Sequence, residues 1–213
     1  MLTRVGPART LAGVTATQRE RIGIFGGTFD PPHVGHLVAA VNARHEARLD
    51  RLLLVVANEP WQKSGLRDLT PASDRLAMVQ AAVDGVAGLE ASDLEIRRGG
   101  PSYTADTLET LRSEDPSRDL FLVLGSDAAA GLPTWEGVDR IRKLTRIVLV
   151  ERPGSEGGRP PEGFDYEVVS VPLLDISSTD VRARCVDGRP LDYLLTRGVV
   201  DCIRRRRLYG VRP

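Results

Sequence analysis

The sequence predicts a doubly wound α/β fold, with a parallel sheet and a small helical C-terminal subregion. Three observations carry that prediction. Apolar runs of strand length alternate with stretches whose apolar residues recur at helical spacing. The run at 52–57, Leu-Leu-Leu-Val-Val-Ala, is continuously apolar, as in a parallel strand covered on both faces. The apolar run at 22–25 passes through Gly26 and Gly27 towards a helix start, which is how such folds build an anion site.

Length and composition bound the rest. A chain of 213 residues favours one domain, read as 21–213, after a flexible N-terminal extension at 1–20 that lacks the apolar core of a signal peptide. Hydrophobic residues make up 41% and charged residues 27%, as in soluble globular proteins. The formal net charge is zero, so no global field draws in nucleic acid or a membrane, and anion recognition must be local. No apolar run approaches membrane-spanning length. Cys185 and Cys202 lack metal-ligand spacing and read as packing residues in a reducing, cytoplasmic setting. A homo-oligomer is compatible with all of this.

The elements follow in order. After the first strand come Gly26-Gly27-Thr28-Phe29-Asp30-Pro31-Pro32 and His33-Val34-Gly35-His36, with Leu37, Ala40, Val41 and Ala47 then at helical spacing. Two histidines near the positive end of a helix add N–H donors beside a bound anion. His45 reads as an exposed helix residue. The strand at 52–57 completes a right-handed crossover. It ends in a polar loop at 58–69 holding Trp61 and Lys63, which suit a nucleotide, although a Trp anchoring its own loop fits equally well. Thr70 reads as a helix cap and Pro71 as the first helical residue, with Leu76, Val79 and Val83 facing inward. A third strand spans 89–96, and a helix starts at Ser102 with Leu108 and Leu111 inward.

A fourth strand, 120–124, delivers Gly125-Ser126-Asp127 to the point where strand order should reverse. There Asp127 either caps a helix or meets a ligand. Trp135 is a core or a stacking residue. Strands at 146–150 and 166–171 flank a Gly- and Pro-rich surface loop at 153–163. Ile176-Ser177-Ser178-Thr179-Asp180-Val181-Arg182 reads as capping hydroxyls, or as a second anion clamp with an Arg one turn on. Helices at 191–195 and 199–208 close the fold, and Arg204 to Arg207 read as a solvated face.

The run GGTFDPPHVGH resembles the first signature of the HxGH nucleotidyltransferases, and ISSTDVR resembles their second. SYTADTL, after Gly99-Gly100-Pro101, resembles the acceptor segment of bacterial nicotinate mononucleotide adenylyltransferases. The resemblance covers 21–209 and implies a Rossmann-like fold and adenylyl transfer from ATP to nicotinate mononucleotide, with Mg²⁺ accompanying the ATP. It assigns His33, His36 and Arg182 to catalysis. It assigns Gly26, Gly27, Thr28, Phe29, Gly125, Asp127, Ile176, Ser177, Ser178 and Thr179, with His33, His36 and Arg182, to ATP. It assigns Lys63, Tyr103, Thr104 and Trp135 to the acceptor. No carboxylate cluster marks a dedicated metal site. The chain departs from the family pattern at Ala57-Asn58-Glu59, where a loop richer in Pro, Ser and Gly is usual.

Overall fold

The computed structural model describes residues 19–60, 69–151 and 157–211. Among them run strands β1 (Arg21–Gly27), β2 (Arg51–Val56), β3 (Leu89–Ser92), β4 (Asp119–Gly125), β5 (Thr145–Glu151) and β6 (Tyr166–Ser170). Helices are α1 (Val34–Glu46), α2 (Ala72–Val83), α3 (Leu94–Arg98), α4 (Thr104–Glu114), α5 (Ser126–Gly131), α6 (Val138–Leu144), α7 (Ser178–Asp187) and α8 (Arg197–Arg206). The strands form one sheet in the order β3-β2-β1-β4-β5-β6, parallel throughout. Order reverses between β1 and β4, so a crevice opens beyond their carboxyl ends, as a doubly wound sheet requires.

Alternation along β2 shows why the sheet is buried on both faces. Leu52, Leu54 and Val56 pack with Ala40 and Ala43 of α1 and Val79 of α2. Leu53 and Val55 enter the opposite core with Leu108 of α4 and Ile141 of α6. A fully buried Leu contributes roughly 1.5–3 kcal/mol, so a strand of this kind has one stable place, the sheet interior. A third cluster joins Met78 and Ala82 of α2 to Val181 and Cys185 of α7 and Val199, Cys202 and Ile203 of α8. Helices α2 and α8 touch closely at Gly198, where a Cβ would lie 2.7 Å from the Ala81 carbonyl oxygen. Both cysteines are buried in this cluster, and burial pushes the Cys185 thiol up.

Several boundaries differ from the sequence reading. The third strand stops at Ser92 instead of 96, because Ser92 Oγ accepts the Leu94 N–H (3.4 Å) and Asp93 pairs with Arg97 (2.9 Å) to start α3. Pro71, with φ −47° and ψ 140°, caps α2 from outside, so helix starts at Ala72 and Thr70 is not the cap. The helix expected from Ser102 begins at Thr104. Residues 191–195 form a turn with Tyr193 at φ 61°, not a helix, although Leu191 and Leu195 are still buried.

Candidate active site

Every sequence-predicted site residue among the described residues lines one crevice of about 1100 Å³ at the β1–β4 reversal. Lys63, and with it Trp61, lies outside the described residues. The floor is backbone. A Cβ at Gly26, next to the last residue of β1, or at Gly125, ending β4, would meet nothing within 4 Å, so a ligand can lie directly on either strand end. Gly27 serves another purpose. A Cβ there would come within 2.7 Å of the Phe29 ring, which folds back beneath the loop with φ 49°. That ring is only 2% exposed and meets His36 edge-on at 5.2 Å, so Phe29 supports the histidine platform with its body.

The histidines are set by the start of α1. His33 caps the helix, and its backbone N–H donates to His36 Nδ1 at 3.1 Å. Because Nδ1 accepts, a neutral His36 carries its proton on Nε2. The two rings lie 3.8 Å apart between centroids. Gly35 permits this, since a Cβ there would stand 3.1 Å from His33 Nδ1.

The second signature grips the first across 147 and 152 residues of sequence. Ser178 Oγ donates to the Pro31 carbonyl at 2.9 Å, and Arg182 Nη1 donates to the Asp30 carbonyl at 2.7 Å. Arg182 Nη2 donates to Thr179 Oγ1 at 3.1 Å. Ser177 Oγ accepts the Asp180 N–H at 3.1 Å, so the capping reading holds for Ser177. Ser178 commits its proton to Pro31, while Ser177 and Thr179 accept and keep theirs to donate. Asp127 is exposed in the first turn of α5, whose cap is Gly125, so its carboxylate is not spent on capping.

On the other wall, the departing loop is sewn to the segment before α4. Asn58 N donates to Ser102 Oγ at 2.8 Å, Asn58 Nδ2 to the Gly100 carbonyl at 3.0 Å, and Ser102 N to the Glu59 carbonyl at 3.0 Å. Ser102 thus braces the wall rather than capping α4, and Tyr103 occupies the cap with no side-chain capping bond. Trp135 is half-buried against the core below α4, and its Nε1 is buried without a hydrogen-bond partner among the described residues.

Arg75, Glu95 and Tyr209 escaped the sequence reading, and Asp30 was read only as part of the first signature. Arg75 is 1% exposed and donates to the carbonyls of Thr28 (2.9 Å), Ala57 (2.6 Å), Asn58 (3.0 Å) and Thr70 (2.8 Å), tying both walls together. The signal existed, since Arg75 stands on the stripe of Met78, Val79, Ala82 and Val83. Glu95, 7% exposed at the crevice, accepts the Thr107 hydroxyl at 2.6 Å and so anchors α4. Asp30 is 2% exposed and accepts the Tyr209 hydroxyl at 2.6 Å. Nothing in local sequence around either of this last pair announces the contact.

Fold and site together define a nucleotide-binding transferase. A cytidylyltransferase-like family model matches residues 24–184. The chain is 43% identical over 200 residues to a probable nicotinate-nucleotide adenylyltransferase of Corynebacterium kroppenstedtii, covering 92% of this chain and 93% of the relative. It is also 43% identical over 188 residues to one from Streptomyces coelicolor, covering 87% and 98%. The fold matches a Plasmodium falciparum nicotinic acid mononucleotide adenylyltransferase complexed with NaAD, with TM-score 0.72 at 20% identity, covering 91% of this chain and 99% of that one. The chain belongs to the nicotinate-nucleotide adenylyltransferase family.

Proposed function

We propose that this crevice transfers the adenylyl group of ATP to nicotinate mononucleotide, releasing pyrophosphate and forming nicotinate adenine dinucleotide for NAD biosynthesis. The observation that carries the residue assignment is the direct joining of the two signatures, Ser178 to Pro31 and Arg182 to Asp30, around an open floor at Gly26. ATP lies across that floor, its ribose within reach of Asp127 and its β- and γ-phosphates at the start of α7 with Thr179 and Arg182. The acceptor phosphate attacks the α-phosphorus in line as the bond to the pyrophosphate oxygen breaks. His36 Nε2–H and His33 stabilise the charge that develops on the phosphoryl oxygens, so catalysis is mainly positioning and electrostatics. Tyr103, Thr104 and Trp135 receive the pyridine end.

Mg²⁺ belongs to this reading as a companion of the triphosphate. Among the described residues no group of three or more His, Cys, Asp and Glu could hold it, and Asp30 is engaged by Tyr209. The ion would enter with the ATP, coordinated largely by triphosphate oxygens and water. Among the described residues no helix is long and apolar enough to cross a membrane. The test is pyrophosphate release with ATP and a panel of phosphorylated acceptors. Turnover with nicotinate mononucleotide is expected, and turnover only with another acceptor overturns the assignment.

A further inference from the structure

The loop between β1 and α1 is held from the C-terminal end of the chain as well as by α7. A short 3₁₀ turn, Leu208–Gly210, follows α8 and delivers Tyr209, held at φ 55°, a backbone conformation unfavourable for a side chain of this size. Its hydroxyl reaches Asp30 Oδ1 at 2.6 Å and stands 3.7 Å from Met78 Sδ. Burial, and then the bond to Asp30, push the phenol well above its usual range, so it stays a proton donor. Arg182 lies close enough to act electrostatically on the same phenol. Asp30 is therefore held at both ends: its carboxylate by Tyr209, its carbonyl by the Arg182 guanidinium that also reaches Thr179.

We propose that Tyr209 is a positioning residue of the triphosphate side of the crevice. By fixing Asp30 it fixes the carbonyl that aims Arg182. This rests on the reading of Arg182 as a phosphate ligand given above. Tyr209 touches no substrate in this scheme. Its effect passes through Asp30, so it should act on the triphosphate far more than on the acceptor wall, which Asn58 and Ser102 brace directly and which meets the loop after β1 through Arg75.

The test uses the full chain and two readouts: ATP affinity by calorimetry without acceptor, and steady-state pyrophosphate release. Tyr209→Phe removes one hydroxyl from a bond to a charged group, and should weaken ATP binding about fivefold or more while the acceptor KM stays within about twofold. Asp30→Asn should produce a smaller change in the same direction, and the double variant should be no worse than the worse single one. Met78→Leu, a volume-conserving change beside the same phenol, should leave ATP affinity unaltered. Unchanged ATP affinity in Tyr209→Phe overturns the proposal, as does an equal ATP defect in Met78→Leu. If Tyr209→Phe fails to fold, Asp30→Asn decides by the same criterion. Failure of the wild type to bind ATP would overturn the reading of the crevice as well. Normal wild-type turnover with an unaltered Tyr209→Phe overturns this proposal alone.

Discussion

The two walls of the crevice are built on different terms. On the proposed phosphate side the polar groups already bind one another: Ser178 to Pro31, Arg182 to Asp30 and Thr179, His33 N–H to His36, Tyr209 to Asp30. On the proposed acceptor side the backbone is sewn at 58–59 and 100–102, and the Trp135 indole N–H is buried and unpartnered among the described residues. The difference teaches where preorganisation is placed. Charge develops at phosphate, where donors fixed in advance lower the barrier without reorganising. A buried donor with no partner is costly, and a pocket that leaves one open discriminates in favour of whatever satisfies it.

The largest test of this contrast is His36→Ala. It removes a fixed donor from the preorganised wall and should lower kcat on the order of a hundredfold or more with the fold retained. Near-normal kcat in a folded variant would break the comparison at its strongest point. Next is Arg182→Ala, which loses a charge-assisted contact worth roughly 1.5–3 kcal/mol and should raise the ATP requirement by about tenfold to a hundredfold. Its acceptor KM, measured at saturating ATP, should barely move; if both KM values rise together, the two walls are not separable.

The acceptor wall is tested by ligand choice. The start of α4 offers backbone N–H groups and the Thr104 hydroxyl, and Trp135 adds an N–H, all donors suited to a carboxylate. Nicotinate mononucleotide should exceed nicotinamide mononucleotide in kcat/KM by about tenfold or more, because the amide brings donors against donors. Glu95 is an acceptor on the same wall, and its Oε1 already takes the Thr107 hydroxyl. Equal kcat/KM values would mean the ring substituent faces Glu95 and not the helix start. The smallest effect belongs to Trp135. Because it both lines the crevice and packs on the core, Trp135→Ala should raise the mononucleotide KM severalfold and also lower Tm by a few degrees, at about 2–4 °C per kcal/mol in a chain of this size. Trp135→Phe should recover most of the Tm and less of the KM. A full loss in Tm with no change in KM would make Trp135 a core residue only.

Legibility in the sequence followed the range of the forces involved. The apolar run of β2, the glycines that close β1 and the capping hydroxyl at Ser177 act over a few residues, so pattern alone exposed them. The third strand misled because apolar Leu94 and Ile96 follow it closely, although out of phase with Leu89 and Ala91, whereas Asp93–Arg97 and Ser92 turn the backbone into α3. Arg75 went unread although an arginine on an apolar stripe was visible, because a charged side chain inside a helix is ordinarily solvated.

By itself the sequence determined the parallel sheet, the strand that leads into a helix start, and the two signatures whose residue types suit a triphosphate, since burial periodicity and backbone freedom are local properties. Only the tertiary structure decided how those signatures are used. It brought Ser178 and Arg182 to the carbonyls of Pro31 and Asp30, spent one predicted clamp hydroxyl on holding the loop, and called in Tyr209 from 179 residues away. The physical reason is that a buried carbonyl or carboxylate must find a donor, and which donor it finds depends on which helix the packed core sets against it.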